Sequence, residues 1–281
     1  MLGLEDLEIG LVFGAGQDAR ATLEHVKSFG LRAGQLVFHG DYSLRRAAEV
    51  WDDALRVARF TPLTVVCAYA GEDYADIPTV QRTVGLVPES TRSERIARTK
   101  AIADVGKDLG IDSVMCHIGF VPEDAQTSLY TQIRDVARDI CDHCAKNGQN
   151  FTLETGQEPA HVLMQFIADV ARPNLKINFD PANMILYGTG DPIEALGVLA
   201  PHIVSVHCKD GDWPPRDAPA ALGKERALGE GSVGIDAFIH KLKEVGYRGV
   251  LSIEREEPNQ QVRNADISKA IKLLKSLTGR A

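Results

Sequence analysis

At 281 residues the chain can hold one α/β barrel of about 250 residues or two smaller domains. Its 44% apolar and 25% charged composition, with mean hydropathy −0.12, is that of a soluble globular protein. A net charge of −8 without a Lys/Arg cluster argues against a nucleic-acid partner, and no apolar run reaches the roughly 20 residues a bilayer span needs. Glu5, Asp6 and Glu8 do not suit a secretory leader, so a cytoplasmic protein is expected.

The apolar period alternates between two and 3.6 along the whole chain. It predicts strands over residues 7–13, 35–39, 63–69, 113–119, 151–154, 176–180, 203–207 and 250–254. Between them it predicts helices over 19–29, 44–58, 91–109, 129–146, 160–171, 192–200, 235–245 and 265–277. Gly30, Gly110, Gly148 and Gly246 stand where a helix end takes a left-handed residue. Alternating strands and helices without a Pro/Ser-rich linker predict an α/β fold, a single (β/α)8 TIM barrel domain over 1–281. A doubly wound open sheet is the competing architecture. Its phosphate-binding turn is missing, because Gly14-Ala15-Gly16 runs on into Gln17, Asp18 and Ala19. Two βα-connections are long and lid-like, at about 71–89 and 211–232, and both should emerge on the face where barrel active sites form.

Five cysteines spread over the chain fit reduced thiols better than a disulfide framework. Cys67, Cys116 and Cys208 fall in predicted strands and read as small core residues. Cys141-Asp142-His143-Cys144 matches a C-x-x-C pattern, but it lies near a helix C-terminus with no second Cys/His pair, so a structural role is expected.

Glu154, Asp180, His207 and Glu254 each close a strand-like segment followed by a helical one. The first three are 26 and 27 residues apart, one βα unit each, and the last follows after 47, one unit plus the long loop. Alone, each could be a helix cap, a turn residue or a salt-bridge partner. Together, on strands five to eight, three carboxylates and an imidazole make a site for one divalent cation. His117 ends the fourth strand and could hydrogen-bond substrate or assist proton transfer. Lys209, two residues past His207, could neutralise an oxyanion or pair with Glu154. Trp213, beside Pro214 and Pro215, could stack on a sugar face, and Arg216 could grip a hydroxyl or a carboxylate.

Leu153-Glu154, Asp180-Pro181-Ala182-Asn183, His207-Cys208-Lys209-Asp210, Leu228-Gly229-Glu230-Gly231 and Ser252-Ile253-Glu254 resemble the sugar phosphate isomerase/epimerase family. These are xylose isomerase-like barrels that include tagatose 3-epimerase, inosose dehydratase and hydroxypyruvate isomerase. The resemblance covers essentially the whole chain. It implies that Glu154, Asp180, His207 and Glu254 hold one ion, Mn²⁺ first, with Mg²⁺, Co²⁺ or Zn²⁺ as alternatives. It also implies that Glu154 and Glu254 double as acid/base groups. Such an ion polarises a carbonyl and acidifies the neighbouring C–H, so the expected activity is isomerisation or epimerisation of a keto-sugar through an enediolate. Asn183 stands where tagatose epimerase carries a substrate-binding His, a departure that disfavours a simple free-ketohexose epimerase.

The alternative is a metal-dependent lyase, dehydratase or hydratase on an inosose or 3-keto-glycoside. An endonuclease-IV-like phosphodiesterase lacks its extra His at Asn183 and its basic groove, and a non-catalytic sugar-binding protein would not need two opposed glutamates. Arg255-Glu256-Glu257-Pro258 offers no phosphate cradle, so the expected partner is an unphosphorylated carbohydrate. Neither nucleic acid nor membrane is expected to bind, and homo-oligomerisation is left open.

Overall fold

The computed structural model describes residues 7–218 and 220–279. Eight parallel strands close into a barrel: β1 (Ile9–Gly14), β2 (Ala33–Phe38), β3 (Thr61–Cys67), β4 (Ser113–Cys116), β5 (Asn150–Glu154), β6 (Leu175–Phe179), β7 (Ile203–Cys208) and β10 (Leu251–Ile253). Each pairs with its neighbours in sequence order, and β10 closes the ring on β1. The short β8 (Asp210–Asp212) and β9 (Lys224–Arg226) form a separate antiparallel hairpin.

The pleat decides which side chains meet. On β1, β2, β6 and β10 the outward series is Ile9-Leu11-Phe13, Leu36-Phe38, Ile177-Phe179 and Leu251-Ile253, all buried against the helices. Burying these rows under amphipathic helices closes the outer core. Cys67, Cys116 and Cys208 have the same parity and are buried free thiols, as their strand positions predict. The opposite parity points into the barrel. It brings Gln35, Asn178, Ser205 and Ser252 into an interior polar layer, with Glu154, Asp180, His207 and Glu254 at the top. In that layer Ser205 Oγ donates to Asn178 Oδ1 at 2.6 Å, and Gln35 Nε2 donates to the same oxygen at 3.2 Å.

The outer ring comprises α1 (Ala19–Ser28), α2 (Ala47–Ala58), α4 (Glu89–Asp108), α5 (Ser128–Lys146), α6 (Ala160–Val170), α8 (Pro192–Leu199), α9 (Ile235–Glu244) and α10 (Gln260–Leu277). The four glycines expected at helix ends all adopt positive φ, between 71° and 79°. Three short elements escape the sequence periodicity: α3 (Ile77–Thr83), α7 (Pro181–Tyr187) and the β8–β9 hairpin. Thus the segment expected as a loop over 71–89 contains a helix, capped by Asp76 accepting from Thr79 N. Predicted strand 113–119 stops at Cys116, and α10 begins five residues earlier than predicted, after the Asn259 cap. Among the described residues no helix is long and apolar enough to cross a membrane.

The loop expected as a lid over 211–232 is tied down at its base. Asp210 is buried, and its carboxylate accepts backbone N–H bonds from Gly211, Gly229, Gly231 and Val233 at 2.9–3.1 Å. A Cβ on Gly223 would collide with the Asp212 carbonyl oxygen, so the hairpin closes only with glycine there.

Candidate metal centre

One donor atom from each of Glu154, Asp180, His207 and Glu254 lies within 4.8 Å of the other three. His207 Nδ1 is the hub, 2.9 Å from Glu154 Oε1, 3.2 Å from Glu254 Oε2 and 3.4 Å from Asp180 Oδ2. Its other nitrogen sits 3.0 Å from Gln35 Oε1. Because the Gln35 amide nitrogen is already donating to Asn178, that oxygen must accept, and the His207 proton is assigned to Nε2. In the neutral ring, the Nδ1 lone pair would then face three carboxylate oxygens.

That arrangement is repulsive unless a cation stands among them, either a proton or a metal. Burial opposes charging His207, but Glu254 and Glu154 outweigh it and drive its pKa well above the ordinary value. Burial also opposes ionisation of Glu254 and Glu154. Lys209 and His207 nevertheless hold the Glu254 carboxyl well below its usual range, and His117 and His207 lower Glu154. Asp180 is pushed up to about 6 by burial, against the pull of Lys209. Glu254 Oε2 is buried and accepts no hydrogen bond of good geometry, although nitrogens of Lys209 and His207 stand 3.0 and 3.2 Å away. An underused carboxylate oxygen, a lone pair with its tautomer fixed from behind, and an oxygen-rich donor set all fit one divalent ion.

Asp180 divides its two oxygens between two tasks. Oδ1 accepts from Asn183 N and caps α7, while Oδ2 faces His207. The turn and ligand readings of Asp180-Pro181-Ala182-Asn183 are therefore compatible. Asn183 donates its side-chain N–H to Glu154 Oε1 at 3.2 Å. His117 Nε2 lies 3.1 Å from Glu154 Oε2, so Glu154 turns one oxygen to the cluster and the other to an imidazole. Lys209 is buried and bonds Glu254 and Glu256, at 3.0 and 2.8 Å; it makes no ion pair with Glu154.

His117, Asn183 and Lys209 line a cavity of about 1040 Å³ above the cluster, together with Glu154 and Glu254. Trp213 and Arg216 do not line it. Both are exposed on the hairpin connection, where Pro214 approaches Gly188. The lining instead includes Tyr74, Tyr187, Glu225, Arg255 and Glu256, none of which was expected to be a site residue. Only Glu256 had a usable signal, its period-two spacing from Glu254. Glu225 on β9 accepts from Glu256 N and pairs with Arg255 at 2.7 Å, which joins the hairpin to the loop after β10.

Burial pushes the Cys141 and Cys144 thiols up to about 12, the opposite of a reactive pair. Burial also pushes the Glu158 carboxyl, which accepts from Val121 N, up to about 8. The folded protein therefore keeps the Glu158 proton over a pH range in which the unfolded chain has lost it. Its stabilisation is complete below the ordinary carboxylate range and is lost as pH rises to about 8. The expected slope is about 1.4 kcal/mol per pH unit relative to Glu158→Gln. Urea unfolding of both proteins at pH 5, 6.5 and 8 measures it, and parallel pH profiles would refute a buried neutral acid.

A closed parallel barrel with a buried three-carboxylate, one-imidazole cluster at its C-terminal rim defines a class of (β/α)8 proteins with a candidate single-cation centre. The chain belongs to the xylose isomerase-like TIM barrel family, whose family model matches residues 23–277. It is 42% identical to a xylose isomerase domain protein from Planctomyces limnophilus, with TM-score 0.92 over 96% of this chain and 97% of that one. Two more distant structures share the fold. The Escherichia coli 3-keto-D-glucoside 4-epimerase is 14% identical, TM-score 0.68, over 96% of this chain and 99% of that one. The probable 3-DHS dehydratase of Bacillus anthracis is 17% identical, TM-score 0.66, over 94% and 99%. Uncharacterized proteins of Methanocaldococcus jannaschii and Escherichia coli K12 match at 27% and 28% identity, over 58% and 53% of this chain. The chain spans about half the length of these curated relatives, 57% and 46%.

Proposed function

We propose that the protein is a divalent-metal-dependent isomerase or epimerase acting on an unphosphorylated keto-sugar or related polyol. The observation that carries this reading is the convergence of Glu154 and Glu254 on one imidazole nitrogen from strands three steps apart around the barrel. Two carboxylates so placed can address opposite faces of one substrate carbon. A bound divalent cation would polarise the substrate carbonyl and lower the pKa of the adjacent C–H.

One glutamate takes the proton from that carbon as the C–H electron pair moves into the carbonyl. The other, once protonated for this step, returns a proton to the opposite face and the carbonyl re-forms with inverted configuration. Return to the neighbouring carbon instead interconverts aldose and ketose. His117, on the outer oxygen of Glu154, can exchange that carboxyl's proton, while Lys209 holds Glu254 in place. Lys209 and Arg255, two of the cations that line the cavity, both pair with carboxylates and so are not free to hold a phosphate. The E. coli structural relative acts, by its name, on a 3-keto-glucoside, a substrate of the proposed kind.

A lyase reading draws on His117 as a third proton-carrying group, which could protonate a departing β-hydroxyl. Proton NMR in D₂O with Mn²⁺-loaded protein and a panel of ketohexoses, inososes and 3-keto-glucosides separates the two. Deuterium entering a carbon beside the carbonyl, without loss of water and only before chelation of the metal, is the expected result. Loss of a β-hydroxyl would move the protein to the lyases, and no exchange on any substrate would refute the proton-abstraction mechanism.

A further inference from the structure

The cavity above the cluster is larger than one sugar ring requires. Pockets of roughly 300–1,000 Å³ hold drug-sized ligands, and this one measures about 1040 Å³. The excess volume has a definite place. Around the outer ring α1 packs on α2, α2 on α4, α4 on α5, α5 on α6, α6 on α8 and α8 on α9, whereas α10 packs comparably on neither α9 nor α1, and it is on the α1 side that the cavity opens. The cavity continues past β1 into the gap between those two helices, reaching Val26 on α1 and Ile267 on α10.

The walls of this arm are amphipathic. Leu11, Phe13, Val26 and Ile267 give it an apolar floor, while His25 and Arg263 supply polar groups from α1 and α10. Arg263 differs from the other two cations that line the cavity. Lys209 and Arg255 are held by carboxylates, whereas among the described residues the Arg263 guanidinium bonds only the Glu257 carbonyl oxygen and makes no ion pair. Its remaining guanidinium N–H groups have no acceptor among the described residues. Beside it, the buried Asn264 Oδ1 accepts no hydrogen bond from the described residues. An apolar floor with hydrogen-bonding groups at its edge suits a pyranose ring, whose C–H face is apolar and whose rim carries hydroxyls.

We propose that the gap between α1 and α10 is a distal subsite for a second sugar ring. The substrate would then be a keto-disaccharide whose reacting ring sits at the four-residue cluster. This rests on the keto-sugar reading of that cluster. It adds a specificity determinant on helices that carry none of the four cluster residues.

Calorimetric titration of metal-loaded protein with 3-keto-D-glucose and with 3-keto-cellobiose tests it, supported by saturation-transfer NMR on each ring. The two-ring probe is expected to bind at least about tenfold more tightly, with saturation reaching both rings. In the Arg263→Ala/Asn264→Ala double variant the affinity ratio should fall to within about twofold of unity. A ratio taken within one protein is insensitive to how much of the variant is folded. Equal affinities in the native protein, no saturation of the second ring, or a ratio that survives the substitutions would overturn the subsite while leaving the keto-sugar reading intact. Failure of both probes to bind would overturn the two together.

Discussion

Replacing Glu254 by Gln, or Glu154 by Gln, is expected to lower kcat by about 10³-fold, in the middle of the range for loss of an acid/base group. Gln keeps the volume of the side chain and one acceptor oxygen, but it cannot take a proton. Circular dichroism and metal stoichiometry check that the fold and the bound ion persist. The two variants also divide the reaction. A protein that keeps one competent carboxylate can still remove and return a proton on one face, so it should retain deuterium exchange while losing inversion. For that reason exchange and epimerisation are measured separately in D₂O. Activity within about tenfold of native for either variant would defeat the two-carboxylate mechanism, as would parallel loss of exchange in both with metal still bound.

Asp210→Asn should be the most destabilising single change outside the cluster. The Asp210 carboxylate is buried and accepts four backbone N–H groups from both ends of the hairpin segment. An amide nitrogen in place of either oxygen would face at least one of those donors, leaving buried N–H groups unpaired. Hydrogen bonds to a charged acceptor contribute about 1.5–3 kcal/mol each, so a loss of about 3 kcal/mol is expected. At roughly 2–4 °C per kcal/mol for a chain of this size, Tm should fall by about 6–12 °C. Loosening the base of the hairpin also frees Glu225 from Arg255 and the loop after β10, so KM should rise more than kcat falls. An unchanged Tm would mean that the segment is held elsewhere.

Prediction and structure agree where the sequence signal is local and repeated. The strands alternate with a period of two and the helices repeat near 3.6 residues. Gly30, Gly110, Gly148 and Gly246 mark helix ends because the left-handed conformation excludes most other residues. Elements shorter than about two helical turns gave too few repeats to register. α3, α7 and the β8–β9 hairpin were missed for that reason. At Asp180 the sequence permitted a turn residue or a metal ligand, and the side chain has one oxygen positioned for each. Lys209 was expected to neutralise an oxyanion or pair with Glu154, but its partners, Glu254 and Glu256, were fixed by the path of the chain after β10. Trp213 and Arg216 looked suited to a lid, yet the hairpin turns them away from the cavity lining.

The sequence by itself determined the barrel, its order of elements and the four strand-end side chains that share its rim. Each of those follows from the identity and spacing of neighbouring residues, through backbone pleat and helical period. Only the tertiary structure decided what surrounds them. The Gln35–His207 tautomer lock, the His117–Glu154 contact, the Glu225–Arg255 clasp and the gap between α1 and α10 join residues that are remote in sequence. Pairings of that kind depend on the closure of the barrel and on imperfect packing of its helices, neither of which has a local pattern in the chain.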